Sequence, residues 1–241
     1  MAVLQFKNFS AYYKVDKTTL GVAVDNINLE VQNGEFLVIV GPSGCGKTTL
    51  IRCILSGISL TEGEILLDGV NIETIKKKNR NLAYISQECN LFPKMTVFDN
   101  IAFPLRMMNT PHEEVQRRVK EIAQKTEIYE LLTRKPAQLS GGQIQRVEIA
   151  RALVKNPRIV LFDEPFANLD VKLKTAMRTL VKDMHNERKS TFLFVTHDLT
   201  EALMLADKIL VMNEGEIVEI GTPQEITEHP QSQFTKEFFG L

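Results

Sequence analysis

The sequence has little that would suit it to a bilayer, to an oxidising compartment or to nucleic acid. None of its apolar runs approaches the roughly 18 residues needed to cross a membrane. The N-terminal Met1-Ala2-Val3-Leu4-Gln5 turns polar at once, which predicts that no signal peptide is present. Cysteine is scarce. Cys45, Cys53 and Cys89 are an odd number without metal-ligand spacing, which predicts reduced thiols in the cytosol and no disulfide framework. A basic excess is missing too: the net charge is −1 and the pI about 6.5, unlike a dedicated nucleic-acid binder. The short run Lys76-Lys77-Lys78 reads as a solvated loop. There is no internal repeat, linker or low-complexity tract. What remains is 241 residues with 44% hydrophobic content, enough for one large α/β domain or one domain carrying a subdomain.

The strongest local signal is Gly41-Pro42-Ser43-Gly44-Cys45-Gly46-Lys47-Thr48-Thr49. The apolar run Phe36–Val40 precedes it as a strand, and Leu50–Leu55 continues it as a helix. Strand, Gly-x-x-x-x-Gly-Lys-Thr and helix form a phosphate-binding loop. Backbone N–H groups and the helix N-terminus face the anion. The glycines permit a backbone that side chains would block. Lys47 reaches the β- and γ-phosphates, and the Thr48 hydroxyl can ligate Mg²⁺.

Along the chain, Val3–Phe9 and Asn26–Val31 alternate as strands, with Ile27, Leu29 and Val31 on one face and the turn Asn33-Gly34 following. Tyr12-Tyr13 lies between them. Glu64–Leu67 is a strand ending at Asp68-Gly69, and Leu82–Ile85 is another, ending in Ser86-Gln87-Glu88. A glutamine at the carboxyl end of such a strand sits where α/β sheets bind ligands. From Cys89 to Pro157 strand-like runs disappear. Glu113–Lys125 is an amphipathic helix with Val115, Val119, Ile122 and Ala123 as its stripe. Leu139-Ser140-Gly141-Gly142-Gln143 opens a helix through Val154, with Ser140 as N-cap and paired glycines that allow an anion close.

Arg158–Phe162 is a buried strand running into Asp163-Glu164-Pro165. Asp163 fits the carboxylate that orients Mg²⁺ beside a phosphate-binding loop, and Glu164 is placed to polarise the attacking water. Asn168-Leu169-Asp170 caps the next helix, Val171–Glu187, with Val171, Leu173, Met177, Leu180, Val181 and Met184 expected to face inward. Thr191–Val195 is another buried strand, ended by Thr196-His197-Asp198, with Leu199–Ala206 as a helix. His197 is therefore the histidine with a role. His112, His185 and His229 are expected to be solvated. Lys208–Met212 and Glu216–Ile220 flank a hairpin turn at Glu214-Gly215, and Pro223–Phe239 reads as short helices.

Taken together these motifs resemble the nucleotide-binding ATPase subunits of ATP-binding cassette (ABC) transporters, over nearly the whole chain and in the family's order. The Leu139–Gln143 signature is very specific to that family. The resemblance implies an α/β P-loop NTPase core with a mostly parallel sheet and an N-terminal antiparallel portion, formed by 1–88 and 158–241. Residues 89–157 would be an inserted helical subdomain. It implies Gln87 as the glutamine loop, Ile159–Asp163 as the Walker B strand, Glu164 as catalytic acid and His197 as the switch histidine on the γ-phosphate. Asn168–Asp170 resembles the D-loop, and Tyr13 the aromatic that stacks on adenine. Two copies would meet head to tail, each ATP lying between one P-loop and the other chain's Ser140, Gly141, Gly142 and Gln143. Thr48, Gln87 and Asp163 would organise Mg²⁺. Ile144 and Glu148 depart from the family pattern on the signature helix.

Leu91–Ile101 and Val211–Pro223 resemble importer-type subunits. The implied protein is a peripheral ATPase on the cytoplasmic face of the membrane, energising solute import. Residues 87–108 would receive the permease through Leu91, Phe92, Met95 and Phe103, with a solute-binding protein beyond. A lipid or drug exporter ATPase is the nearest alternative, a non-transport cassette a more distant one. Thr196-His197-Asp198 and Gly221-Thr222-Pro223 resemble sugar and polyamine importers, which usually carry a further C-terminal domain. The chain stops at Leu241 and is expected to lack it, which leaves amino acid, inorganic anion, metal-chelate and sulfonate importers open, among others.

Overall fold

The computed structural model describes residues 4–14, 20–56, 61–88 and 90–241; Val3, at the start of the first expected strand, and Cys89 lie outside them. Strands β1 (Leu4–Lys14) and β2 (Leu20–Val31) precede β3 (Phe36–Val40) and helix α1 (Lys47–Ser56). Next come β4 (Thr61–Leu67), β5 (Val70–Asn71), β6 (Leu82–Ile85), and helices α2 (Val97–Met107), α3 (His112–Lys125) and α4 (Gly141–Leu153). The chain ends with β7 (Ile159–Asp163), α5 (Val171–Arg188), β8 (Thr191–Val195), α6 (Leu199–Leu205), β9 (Lys208–Asn213), β10 (Glu216–Gly221), α7 (Pro223–Glu228) and α8 (Gln233–Phe239).

Two sheets result. The first is antiparallel, in the order β2-β1-β4-β5; the second runs β10-β9-β3-β8-β7-β6. In the second, β9, β3, β8, β7 and β6 are parallel and β10 returns antiparallel. The parallel strands read as unbroken apolar runs because both faces are covered. Phe36, Val38 and Val40 of β3 enter one core with Val160, Phe162, Phe192 and Phe194, on the side of α2–α5. Leu37 and Ile39 enter a second core with Leu161, Leu193, α1 and the antiparallel sheet. This is an α/β P-loop NTPase fold. Among the described residues no helix is long and apolar enough to cross a membrane.

Turn chemistry matches the residues. Asp68-Gly69 (φ 52° and 77°) and Glu214-Gly215 (48° and 88°) take the left-handed pairs that close tight hairpins. Tyr12 and Tyr13 belong to β1 itself and do not lie between strands. Arg80, which the sequence did not single out, is buried and caps α1: its Nη1 donates to the carbonyls of Ile54 (3.1 Å) and Leu55 (3.0 Å).

Helix α5 departs from its expected stripe. Val171 is 80% exposed, because it opens the first turn beside the Asp170 cap, before the buried face begins. His185, expected in solvent, is 6% exposed. Its ring packs 5.0 Å from both Phe36 and Phe192, and Nε2 bonds the Gly34 carbonyl at 3.0 Å. Met177, Arg178, Val181, Met184 and His185 recur at helical spacing, so periodicity outweighed polarity here.

Burial pushes the His185 pKa down from its ordinary value. The folded state therefore resists a proton that the unfolded state accepts below about pH 6.5. Stability from neutral His185 is fully present above that pH and falls as the pH drops toward the depressed folded pKa. Melting temperatures between pH 7.5 and 5.5 should fall more steeply for wild type than for His185→Gln. Parallel slopes would contradict this.

Candidate nucleotide site

The carboxyl ends of β3, β8, β7 and β6 lie side by side, and each delivers one part of the site. After β3, the loop begins at Gly41 and ends at Gly46, both left-handed (φ 153° and 102°). A Cβ on Gly41 would meet the Met212 carbonyl at 2.2 Å, and one on Gly46 the Ala23 carbonyl at 2.3 Å. The loop is thus wedged between β9 and β2 with no room for a side chain at either end. Lys47 is buried, and its ammonium donates to the carbonyls of Gly41 and Pro42, both at 2.8 Å. The Cys45 thiol is buried in the same loop, and burial raises its pKa.

Thr48 Oγ1 donates to Asp163 Oδ1 at 2.7 Å, joining the loop to the end of β7. The other oxygen, Oδ2, accepts the Tyr84 hydroxyl at 3.0 Å. Burial, and after it the Asp163 charge, push the Tyr84 pKa up to about 12, so the phenol keeps the proton it donates. Tyr84 was not anticipated; its place in β6, beside β7, is what brings it to Asp163. Gln87 lines a cleft of about 520 Å³ together with Thr48, Tyr84 and Asp163.

Glu164 follows β7 in a left-handed conformation (φ 47°), uncommon for a side-chain-bearing residue. Its N–H is held by the Val195 carbonyl at 3.0 Å. The turn aims its carboxylate at His197, whose Nδ1 lies 2.9 Å from Oε2. A carboxylate oxygen only accepts, so His197 Nδ1–H donates. Glu164 also lines a cleft of about 390 Å³ with Tyr13, Ser43, Gly44, Gly46, Lys47, Thr48 and Thr49. Tyr13 is exposed there, its ring lying over Gly21, the residue opposite it on β2.

Ser140, Gly141, Gly142 and Gln143 are not brought to these clefts. They form the start of α4, where Gln143 N–H donates to Ser140 Oγ (3.4 Å) and Ser140 N–H to Gln143 Oε1 (3.0 Å). This reciprocal cap is worth about 1 kcal/mol. Ser140 and Gly141 are exposed, while Gly142 packs on Leu173 at the start of α5. Asp170 caps α5 by accepting Leu173 N–H at 2.9 Å. Ile144 is half-buried, and nothing in the structure explains its choice.

Residues 24–167 match the ABC transporter family. The chain belongs to that family. It is 44% identical over 240 residues to the sn-glycerol-3-phosphate import ATP-binding protein UgpC of Bordetella avium, covering 100% of this chain and 65% of the relative. It is 43% identical over 238 residues to the spermidine/putrescine import ATP-binding protein PotA of Haemophilus ducreyi, covering 99% and 63%. The chain thus spans less than two-thirds of the length of these relatives. Among solved structures, a dimeric post-hydrolysis state of the ATP-binding cassette MJ0796 bound to ADP and Pi superposes with a TM-score of 0.81 at 33% identity, covering 91% of this chain and 98% of that one. The cassette cbiO1 of Clostridium perfringens, part of the transporter complex cbiONQ, superposes at 0.84 with 28% identity, covering 97% and 94%.

Proposed function

We propose that this chain is the ATP-hydrolysing subunit of a membrane importer, and that two copies close head to tail around ATP. The observation that carries hydrolysis is the Glu164–His197 contact at 2.9 Å on the rim of the P-loop cleft. In this reading the N–H groups of residues 41–49 and the Lys47 ammonium hold the phosphates, and Tyr13 carries the adenine. Glu164 accepts a proton from the attacking water through the oxygen that His197 leaves free. His197 fixes the rotamer of that carboxylate and faces the γ-phosphate.

The donor set suits Mg²⁺. Thr48, Gln87 and Asp163 offer hard oxygens on one cleft, and among the described residues no three His, Cys, Asp or Glu side chains cluster into a cage. Mg²⁺ prefers one or two protein oxygens completed by phosphates and water. When bound it neutralises charge on the β- and γ-phosphate oxygens. Thr48 and Tyr84 hold Asp163 by both oxygens, setting the carboxylate's orientation for that ion.

Two further features support the dimer. The signature cap is exposed and lines neither cleft of its own P-loop, so its helix N-terminus is available to a second chain's nucleotide. The similar cassette MJ0796 is itself described as dimeric with ADP and Pi bound. In this reading 1–88 and 158–241 form the core and 89–157 the helical subdomain. The subunit is peripheral on the cytoplasmic face, and its permease docks at 87–108, where Phe92 is exposed against Phe103. Near-equal identity to relatives named for an anionic and a polycationic solute argues that the solute is chosen outside this subunit.

The test is a pull-down of the tagged chain from detergent-solubilised native membranes, with partners identified by mass spectrometry. Recovery of a polytopic membrane protein is expected. Recovery of soluble proteins only would overturn the transport reading.

A further inference from the structure

Glu148 takes no part in the chemistry above, yet it is a carboxylate only 2% exposed. It lies on α4 among Val147, Ile149 and Ala150, all fully buried. A charge in such a place is unfavourable unless well partnered. Glu148 Oε1 accepts the backbone N–H of Asn90 at 3.2 Å and lies 3.3 Å from Arg151 Nη2. Arg151 Nη1 in turn donates to the Asn90 carbonyl at 2.7 Å. One helix therefore grips both backbone groups of a single residue. From the other side, the buried Asn100 of α2 takes the N–H and the carbonyl of Phe92, at 2.8 and 3.2 Å.

The gripped segment is tied to the Gln87 loop. Asn90 Nδ2 donates to Ser86 Oγ (3.3 Å) and to the Glu88 carbonyl (3.0 Å), and Ser86 Oγ donates to the same carbonyl at 2.6 Å. These bonds bracket Gln87, which shares its cleft with Thr48 and Asp163. The helix that carries Glu148 is the one whose N-terminus is the signature.

We propose that Glu148 is a positioning residue: with Arg151 it clamps the Gln87 loop to the signature helix, so that the loop serving this chain's own ATP and the signature offered to the second copy's ATP keep one register. The inference rests on the proposed roles of Gln87 and Ser140–Gln143. Glu148 touches neither nucleotide nor metal, so its loss should leave ATP binding at the P-loop intact and slow turnover.

The experiment is steady-state ATPase kinetics on the full chain, normalised to nucleotide-binding stoichiometry, below the melting temperature of every variant. Glu148→Ala is expected to lose about tenfold or more in kcat with KM for ATP near wild type. Glu148→Gln keeps an acceptor for Asn90 N–H and should recover most of the rate. In Gln87→Ala, adding Glu148→Ala should cost little more, since coupled residues are not additive. If Glu148→Ala does not fold, Arg151→Lys, which keeps the charge and loses the two-pronged geometry, should show the same split. Wild-type kcat in Glu148→Ala, a glutamine as slow as alanine, or losses that multiply in the double variant would each overturn the inference. A wild-type chain that hydrolyses no ATP would instead overturn the functional reading beneath it.

Discussion

Glu164→Gln should lower ATP turnover by about 10²–10⁴-fold while leaving ATP binding close to wild type. The size follows from the role. Glutamine matches the shape of glutamate and keeps an oxygen for His197 Nδ1–H, but it is too weak a base to take a proton from water. Binding should survive because, in the proposed function, the phosphates are held by the P-loop and Lys47, which the substitution does not touch. The left-handed backbone at Glu164 (φ 47°) is equally open to glutamine, so the turn after β7 is undisturbed. Fluorescent ATP-analogue binding and phosphate release, measured on the same preparation, check both halves. Wild-type turnover would remove Glu164 from the chemistry.

Gly46→Ala should abolish most ATP binding where Gly44→Ala does not. Both glycines are left-handed, with φ of 102° and 84°. Their surroundings differ. A Cβ on Gly46 would sit 2.3 Å from the Ala23 carbonyl, a backbone atom that cannot step aside without moving β2. A Cβ on Gly44 meets nothing within 4 Å. Alanine at 44 thus carries only conformational strain, about 1–2 kcal/mol. Alanine at 46 must also displace the loop from β2, and strain of about 1–3 kcal/mol at such sites corresponds to roughly 10–100-fold in affinity. Titration with a fluorescent ATP analogue, alongside thermal unfolding, separates lost binding from lost fold. Equal affinities for the two variants would contradict the wedge.

These effects were legible to different degrees in the sequence. The P-loop could be read because its chemistry is local: strand, glycines, lysine and helix follow one another without a break from Phe36 to Leu55. The acidic pair Asp163-Glu164, Gln87 and His197 could be read because each ends a strand, and parallel strands bring their carboxyl ends together. The helix α2 could have been read from Thr96, whose side chain caps Asp99 N–H at 3.1 Å in a Thr-x-x-Asp pattern, though Pro104 inside it obscures the period. Partners across elements could not. That Tyr84 meets Asp163, that Arg80 caps α1 and that Glu148 reaches Asn90 depend on the packing of segments 26 to 79 residues apart. Polar residues on an apolar stripe also misled: His185 follows the buried spacing of α5 and is buried, whatever its charge class.

In the proposed function ATP joins two copies of this chain through surfaces that one copy does not bring together. Sedimentation of the Glu164→Gln chain, which should hold ATP without consuming it, addresses that directly. With Mg²⁺ and ATP the expected species has twice the monomer mass, and with ADP the mass of the monomer. The dimer should be lost on adding Ser140→Arg, which fills the signature cap without touching the P-loop. A chain that binds ATP and stays monomeric under all these conditions would contradict head-to-tail closure around ATP.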